Sequence, residues 1–169
     1  MESEIINRVA NSKLKVIDLE DYYPAGTRSV IDISQWLVEG IVLVESRFRE
    51  SLKNTDFTIY KDHYVAIHCS TDAIIPQWAW MLLQIELSNV AQKVVLGTTD
   101  DLETAIYKPI INNLDLTLYK DAPVIVKGCS NKPVPVAAYM QITDKLHEVA
   151  RSVMYGEACS AVPVYKKKR

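Results

Sequence analysis

The segment that decides the fold runs from Asp56 to Trp80 and reads DFTIYKDHYVAIHCSTDAIIPQWAW. A similar sequence, DLTLYKDAPVIVKGCSNKPVPVAAY, begins 59 residues later at Asp115. Each copy contains a short apolar run that predicts a buried strand, and this run leads into a Cys-Ser pair. A proline suited to the first turn of a helix then follows. We interpret the two segments as repeated strand–Cys-Ser–helix units.

Short apolar runs alternate with longer helical patterns along the rest of the chain, which predicts an α/β fold. We expect a parallel or mixed sheet with helices packed on it. The 169 residues fit a single α/β domain, in which residues 1–55 form an N-terminal α/β layer and residues 56–169 form the repeated core. The last helix is predicted to continue through Val153 and to end at Gly156, because its apolar residues recur every three or four positions.

The composition is that of an ordinary soluble globular protein, with 49% hydrophobic and 24% charged residues. A net charge of −2 argues against a dedicated nucleic-acid binder. No apolar run approaches the roughly 18 residues of a membrane span, and the N-terminus lacks the features of a signal peptide. The three cysteines are an odd number and predict reduced thiols. We therefore expect a cytoplasmic protein that binds neither nucleic acid nor membrane.

Cys69 and Cys129 each follow a predicted strand and therefore lie at the edge of the sheet where ligands bind. If the two strands were neighbours in a 2-1-3 order, their ends would lie about 5 Å apart. Thiolates that share a metal ion stand nearly as close, because Zn–S and Fe–S bonds measure about 2.3 Å. The repeat therefore predicts a metal site built on these two cysteines.

Every cysteine of the chain is followed by a serine, and the third pair is Cys159-Ser160. A serine in such a turn offers donors that can hydrogen-bond to a bound sulfur, so cofactor contacts are predicted for Ser70, Ser130 and Ser160. Three thiolates could hold a zinc ion or three corners of an iron–sulfur cluster. A long last helix would carry Cys159 to the opposite edge, so its participation requires a tilted helix, a fold-back after Gly156 or a second subunit.

Two carboxylates near the cysteines are further candidate metal ligands or general bases. Asp72 follows Cys69 by three residues, and Glu157 precedes Cys159 by two. The alternative for Asp72 is a cap at the approach to a helix, and for Glu157 an exposed surface charge. The cysteines themselves could instead be small buried hydrophobic residues.

Four stretches of the chain resemble an uncharacterised family of Bacteroidetes proteins, the domain of unknown function 2480. They are Asp18-Leu19-Glu20-Asp21-Tyr22-Tyr23-Pro24, Cys69-Ser70 with Asp72-Ala73-Ile74, Lys127-Gly128-Cys129-Ser130-Asn131, and Tyr155-Gly156-Glu157 with Cys159-Ser160. The resemblance covers nearly the whole chain. Members of the family are often encoded near iron–sulfur assembly components, so the resemblance implies iron–sulfur assembly proteins as partners.

Three functions remain open from the sequence. The first is an accessory protein of iron–sulfur assembly that binds a metal ion or an iron–sulfur cluster through Cys69, Cys129 and Cys159. The second is a zinc- or thiol-dependent enzyme, whose substrate and catalytic residues the sequence does not indicate. The third is a non-catalytic interaction protein with structural cysteines, and a homo-oligomer is compatible with each of the three.

Overall fold

The computed structural model of the chain describes residues 13–128 and 131–168. It is an α/β structure, as the sequence predicted. The strands are β1 (Lys15–Asp18), β2 (Arg28–Asp32), β3 (Tyr64–His68), β4 (Lys93–Leu96), β5 (Pro123–Lys127), β6 (Ser152–Tyr155) and β7 (Val162–Lys166). The helices are α1 (Glu45–Asn54), α2 (Gln77–Ser88), α3 (Thr99–Asn112) and α4 (Val136–Val149).

The chain divides into two compact units. One, here called the inserted unit, is Pro24–Ala105. The other, the flanking unit, consists of Met1–Tyr23 and Ile106–Arg169. Residues 1–55 therefore do not form one layer, because they supply β1 to the flanking unit and β2 with α1 to the inserted unit.

The described strands form two sheets, one in each unit. In the inserted unit the order is β2-β3-β4, and every pairing is parallel. In the flanking unit it is β1-β5-β6-β7, with β7 antiparallel to β6. The expectation that the strands before Cys69 and Cys129 are neighbours is wrong, because β3 and β5 belong to different sheets. Each copy of the repeat builds its own sheet with its own first and third strands.

The strand registers reveal that the duplication is larger than the sequence repeat. Val65 on β3 lies opposite Ser29 and Val94. Its equivalent on β5, Val124, lies opposite Lys15 and Val153. One complete copy, β2–α1–β3–α2–β4, is thus inserted into the other between its first strand β1 and its helix α3.

Equivalent apolar residues fill the core of each unit. Leu83 on α2 and Ile142 on α4 are both fully buried, as are Phe48 on α1 and Tyr107 on α3. On α4 the buried residues recur at every fourth position, which places one face of the helix on the sheet. Both copies have the same arrangement of strands and helices because each must bury the apolar face of its sheet against the apolar stripes of its helices.

The last helix is shorter than the sequence predicted. It ends at Val149, Ala150 is extended, and Ser152–Tyr155 form β6 parallel to β5. The prediction failed because Val153 is spaced from Val149 as in a helical stripe, yet it is also a β-branched residue suited to a buried strand. The return of the chain along β6 brings the segment after it to the same edge as the C-terminal end of β5.

Candidate functional site

The Cys-Ser turn of the inserted unit is anchored by a carboxylate on the neighbouring strand. Asp32 ends β2 and accepts hydrogen bonds from the backbone N–H of Ser34, at 2.9 Å, and of Ser70, at 3.1 Å. Partial burial acts to raise the pKa of Asp32. The hydrogen bonds from Ser70 and Ser34 outweigh burial and hold this pKa well below its usual range. Asp32 therefore fixes the turn as an ionised acceptor.

Cys69 itself is half-buried and packs against the core of the inserted unit. Its Sγ lies 3.3 Å from Oγ1 of Thr71. Ser70 and Asp72, the neighbouring predicted site residues, are exposed. Ser70 lies within hydrogen-bond distance of the Ser34 hydroxyl, at 3.2 Å. This edge of the inserted unit offers one thiol among hydroxyl groups.

In the flanking unit the predicted residues Cys129 and Ser130 lie outside the described residues, but the positions on both sides of them are defined. Gly128 has a φ of 146°, and a Cβ there would stand 2.8 Å from the Tyr139 hydroxyl oxygen, so only glycine suits this position. Asn131 donates its backbone N–H to Oε1 of Glu20 at 2.9 Å. Glu20 therefore anchors this loop from the segment that follows β1.

Charged side chains distinguish the edge of the flanking sheet. Nζ of Lys127, at the end of β5, lies 3.3 Å from Oδ2 of Asp18 and 3.5 Å from Oε1 of Glu157. The hydrogen bond to Asp18, followed by the charges of Glu157 and Asp18, raises the pKa of Lys127. Glu157, a predicted metal ligand, is thus an exposed member of an ion-pair cluster.

Cys159 follows the end of β6 by four residues and is exposed. The N–H of Ser160, which is also exposed, donates to the carbonyl oxygen of Glu157 at 2.9 Å and closes a turn. Because β6 runs parallel to β5, this turn lies beyond the same sheet edge as Lys127 and Gly128, which lead directly to Cys129. The chain therefore returns to this edge through an earlier end of the last helix and through β6, rather than by a fold-back after Gly156.

The three predicted thiol positions are divided between the two units. Cys69 belongs to the inserted unit, whereas Cys129 and Cys159 belong to the flanking unit. Within residues 13–128 and 131–168, no group of three His, Cys, Asp or Glu side chains is placed to hold a metal ion.

Sequence reasoning missed the aspartates that end β1 and β2, of which Asp32 anchors the turn after β3. Their signal is the repeated Val-Ile-Asp at the ends of β1 and β2, which ends at Asp18 and Asp32. Each aspartate caps the short 3-10 helix that follows its strand. The motif therefore marks equivalent edges of the two sheets.

A family model described as "Protein of unknown function (DUF2480)" matches residues 3–167. The chain belongs to the DUF2480 family. The match confirms the resemblance over nearly its whole length, including both Cys-Ser turns and Cys159. Comparisons of this DUF2480 chain with curated proteins and with solved structures gave no match. In the part of the chain that the structure describes, no helix is long and apolar enough to cross a membrane.

Proposed function

We propose that the chain binds a metal ion or an iron–sulfur cluster through Cys129 and Cys159 and acts as an accessory protein in iron–sulfur assembly. The observation that carries the proposal is the parallel pairing of β5 with β6. Neighbouring parallel strands lie about 4.8 Å apart, and thiolates on one metal stand nearly 4 Å apart. The strands leading to the two cysteines are therefore spaced for a shared metal.

The donor chemistry at this edge fits soft or borderline metals. Thiolates favour zinc and iron–sulfur clusters over magnesium or calcium. Glu157 contributes a carboxylate near Cys159, and its ion pair with Lys127 is exposed, at 3.5 Å, and therefore weak. We propose the hydroxyl groups of Ser130 and Ser160, each next to a cysteine in the sequence, as hydrogen-bond donors to the bound sulfur.

Two thiolates per chain suit a cargo rather than a permanent cofactor. A cluster commonly takes four cysteine ligands, so this edge leaves positions open for a partner that receives or delivers it. The family resemblance supports iron–sulfur assembly proteins as these partners. Cys69 is not part of the proposed site, because it follows neither β5 nor β6 and packs on the core of the inserted unit.

Anaerobic reconstitution with ferrous iron and sulfide tests the proposal. The protein is desalted, and its iron, sulfide and visible absorption are measured. We expect Cys129→Ser and Cys159→Ser to lose most of the bound iron. Cys69→Ser is the matched control, since it removes the equivalent thiol of the other copy, and it should keep the iron.

Equal iron loss in all three variants, or no iron in the unmodified protein, would contradict this site. Colourless zinc bound through the same two cysteines would support a metal site and contradict the carriage of a cluster. The accessory role is tested by mixing the reconstituted protein with an apo-ferredoxin of the [2Fe–2S] type. Transfer should be faster than assembly from free iron and sulfide at the same concentrations.

A further inference from the structure

The flanking unit carries a groove beside β7, a strand that has no counterpart in the inserted unit. β7 pairs with the outer side of β6 and extends the sheet beyond α4, whereas the inserted unit, all of whose residues are described, ends its sheet at β4. The groove lies between α4 and the β6–β7 hairpin and has a volume of about 710 Å³. This volume is within the range of small-molecule sites, roughly 300–1,000 Å³.

Aromatic rings line the groove in two pairs. The rings of Tyr139 and Tyr155 meet edge to face, with centroids 5.6 Å apart and an interplanar angle of 79°. The ring of His147 lies 4.5 Å from that of Tyr165 on β7. Aromatic faces carry partial negative charge and attract cations.

The groove also contains one ionised side chain. Among the described residues that line it, Asp144 is the one Asp, Glu, Lys or Arg. Its carboxylate is exposed on α4, on the same helix as Tyr139 and His147. Apolar walls that carry aromatic rings and a single carboxylate are complementary to a cation with an apolar body.

The equivalent surface of the inserted unit has different chemistry. On α2, the positions equivalent to Asp144 and His147 are Ile85 and Ser88, and Tyr139 corresponds to Trp80. The buried residues of the two helices remain matched, as Leu83 and Ile142 illustrate. The buried residues of α2 and α4 are thus alike, but the exposed residues that border the groove on α4 differ from their equivalents on α2.

We propose that this groove binds a small organic cation with apolar substituents, such as an alkylated or quaternary ammonium. The cationic nitrogen lies at Asp144, and the apolar body packs on Tyr139, Tyr155 and Tyr165. The groove borders the cysteine edge, since Tyr155 ends β6 and a Cβ at Gly128 would stand 2.8 Å from the Tyr139 hydroxyl oxygen, but this proposal does not depend on metal binding. The charge of the ligand sets its specificity, since a neutral ligand of the same shape gains only the apolar contacts.

Methionine methyl groups report on the groove directly. Met140 and Met154 line it, whereas Met81 is exposed on α2 of the other unit. The full chain is labelled with ¹³C-methyl methionine and titrated with benzyltrimethylammonium, with neutral N-benzylacetamide and anionic phenylacetate as comparison ligands. We expect the cation to shift the Met140 and Met154 signals saturably and to leave Met81 unchanged. N-benzylacetamide should bind at least about tenfold more weakly, and phenylacetate more weakly still.

Two substitutions test whether the charge of Asp144, rather than any change in the folded structure, is responsible for binding the cation. Asp144→Asn should weaken binding of the cation about threefold to fivefold and leave binding of N-benzylacetamide unchanged. Glu86→Gln is the matched control, because it removes an exposed carboxylate from α2, and it should have no effect. Equal binding of cation and neutral ligand, equal effects of the two substitutions, a matching shift of Met81, or no saturable shift would each overturn the proposal.

Discussion

The inserted and flanking units share a central three-stranded parallel arrangement, to which the flanking unit adds β7, but they stabilise their Cys-Ser turns differently. In the inserted unit, Asp32 binds the N–H of Ser70 directly. In the flanking unit, Glu20 binds Asn131 two residues beyond Cys129. The buried residues of the two copies are matched, whereas their sheet edges are not. The need to bury the core therefore keeps the fold of the two copies the same. The exposed residues at the sheet edge are free of this constraint and can differ between the copies.

The difference in charge is the clearest contrast between the two edges. Lys127 with Asp18 and Glu157 forms an ion-pair cluster at the edge of the flanking sheet. At the position equivalent to Lys127, the inserted unit has His68, the last residue of β3, opposite Asp32. The proposal of metal binding in one copy rests instead on the parallel pairing of β5 with β6.

The largest expected effect concerns a buried ion pair of the inserted unit. Arg28 Nε donates to Oε1 of Glu103 at 2.8 Å, and both side chains are largely buried. Nη1 of Arg28 also donates to the carbonyl oxygens of Pro24 and Gly26, both at 2.8 Å. Glu103→Gln leaves the guanidinium buried without its carboxylate, and we expect it to lower the free energy of unfolding by about 3 kcal/mol.

Tryptophan fluorescence during urea denaturation measures this change in the inserted unit. Trp36, Trp78 and Trp80 are the three tryptophans of the chain and all belong to that unit. Glu45→Gln is the control, because it breaks an exposed ion pair with Arg49 and should cost only a few tenths of a kcal/mol. Equal effects of the two substitutions would show that the buried pair is not a special stabiliser of this unit.

The next effect is at a matched core position. The Tyr107 hydroxyl donates to the carbonyl oxygen of Leu19 at 2.9 Å in the flanking unit. Its equivalent in the inserted unit is Phe48. Tyr107→Phe makes the two copies alike and leaves a buried carbonyl without this donor, so we expect a loss of about 1.5 kcal/mol.

Circular dichroism together with the Met140 methyl signal follows the unfolding of the flanking unit of Tyr107→Phe. The reciprocal Phe48→Tyr would bury a hydroxyl beside Trp36 and Trp78, and we expect it to destabilise the inserted unit by about 2 kcal/mol. A neutral effect of both exchanges would mean that the two cores are interchangeable at this position.

The smallest effect concerns the anchor of the inserted unit's turn. Asp32→Asn keeps an acceptor but removes the charge that Ser34 and Ser70 stabilise, and we expect a loss of about 1 kcal/mol at pH 7. Because the pKa of Asp32 is lower in the folded state, its contribution is complete above the ordinary value of 3.8. It is lost as the pH falls from there toward the folded-state pKa.

The difference in stability between the unmodified protein and Asp32→Asn should therefore shrink in acid. Tryptophan fluorescence during urea denaturation at pH 7, 4 and 3 checks this. Asp72→Asn is the comparison, since Asp72 is exposed in the same turn and should change stability little. A difference that is constant with pH would contradict the role of Asp32 as an ionised anchor.

The sequence predicted the α/β class because the repeat has clear buried strands and helix starts. It could not predict that β3 and β5 lie in different sheets, because a repeat shows which strands are equivalent but not which ones pair. Strand pairing brings together residues that are distant in sequence, such as Ile17 and Val126. The insertion of one copy into the other therefore becomes apparent only from the pairing.

The candidate site was predicted in part. The Cys-Ser pairs follow β3 and β5 in the sequence, as predicted, but the sheet edge that Cys159 follows depended on β6. Val153 satisfies both helical and strand patterns, so its true element is decided by pairing with Val124 on β5. The anchoring of the loops by Asp32 and Glu20 also depends on contacts between distant segments.

The central claim is that Cys129 and Cys159 share one sheet edge. Dibromobimane tests it most directly, because it becomes strongly fluorescent only when both of its arms react with neighbouring thiols. The reagent is added anaerobically to Cys69→Ser, Cys129→Ser and Cys159→Ser, and the cross-linked peptides are identified by mass spectrometry. The account predicts an intramolecular Cys129–Cys159 cross-link in Cys69→Ser and little fluorescence in the other two variants. A Cys69–Cys129 cross-link in Cys159→Ser, with none in Cys69→Ser, would contradict it.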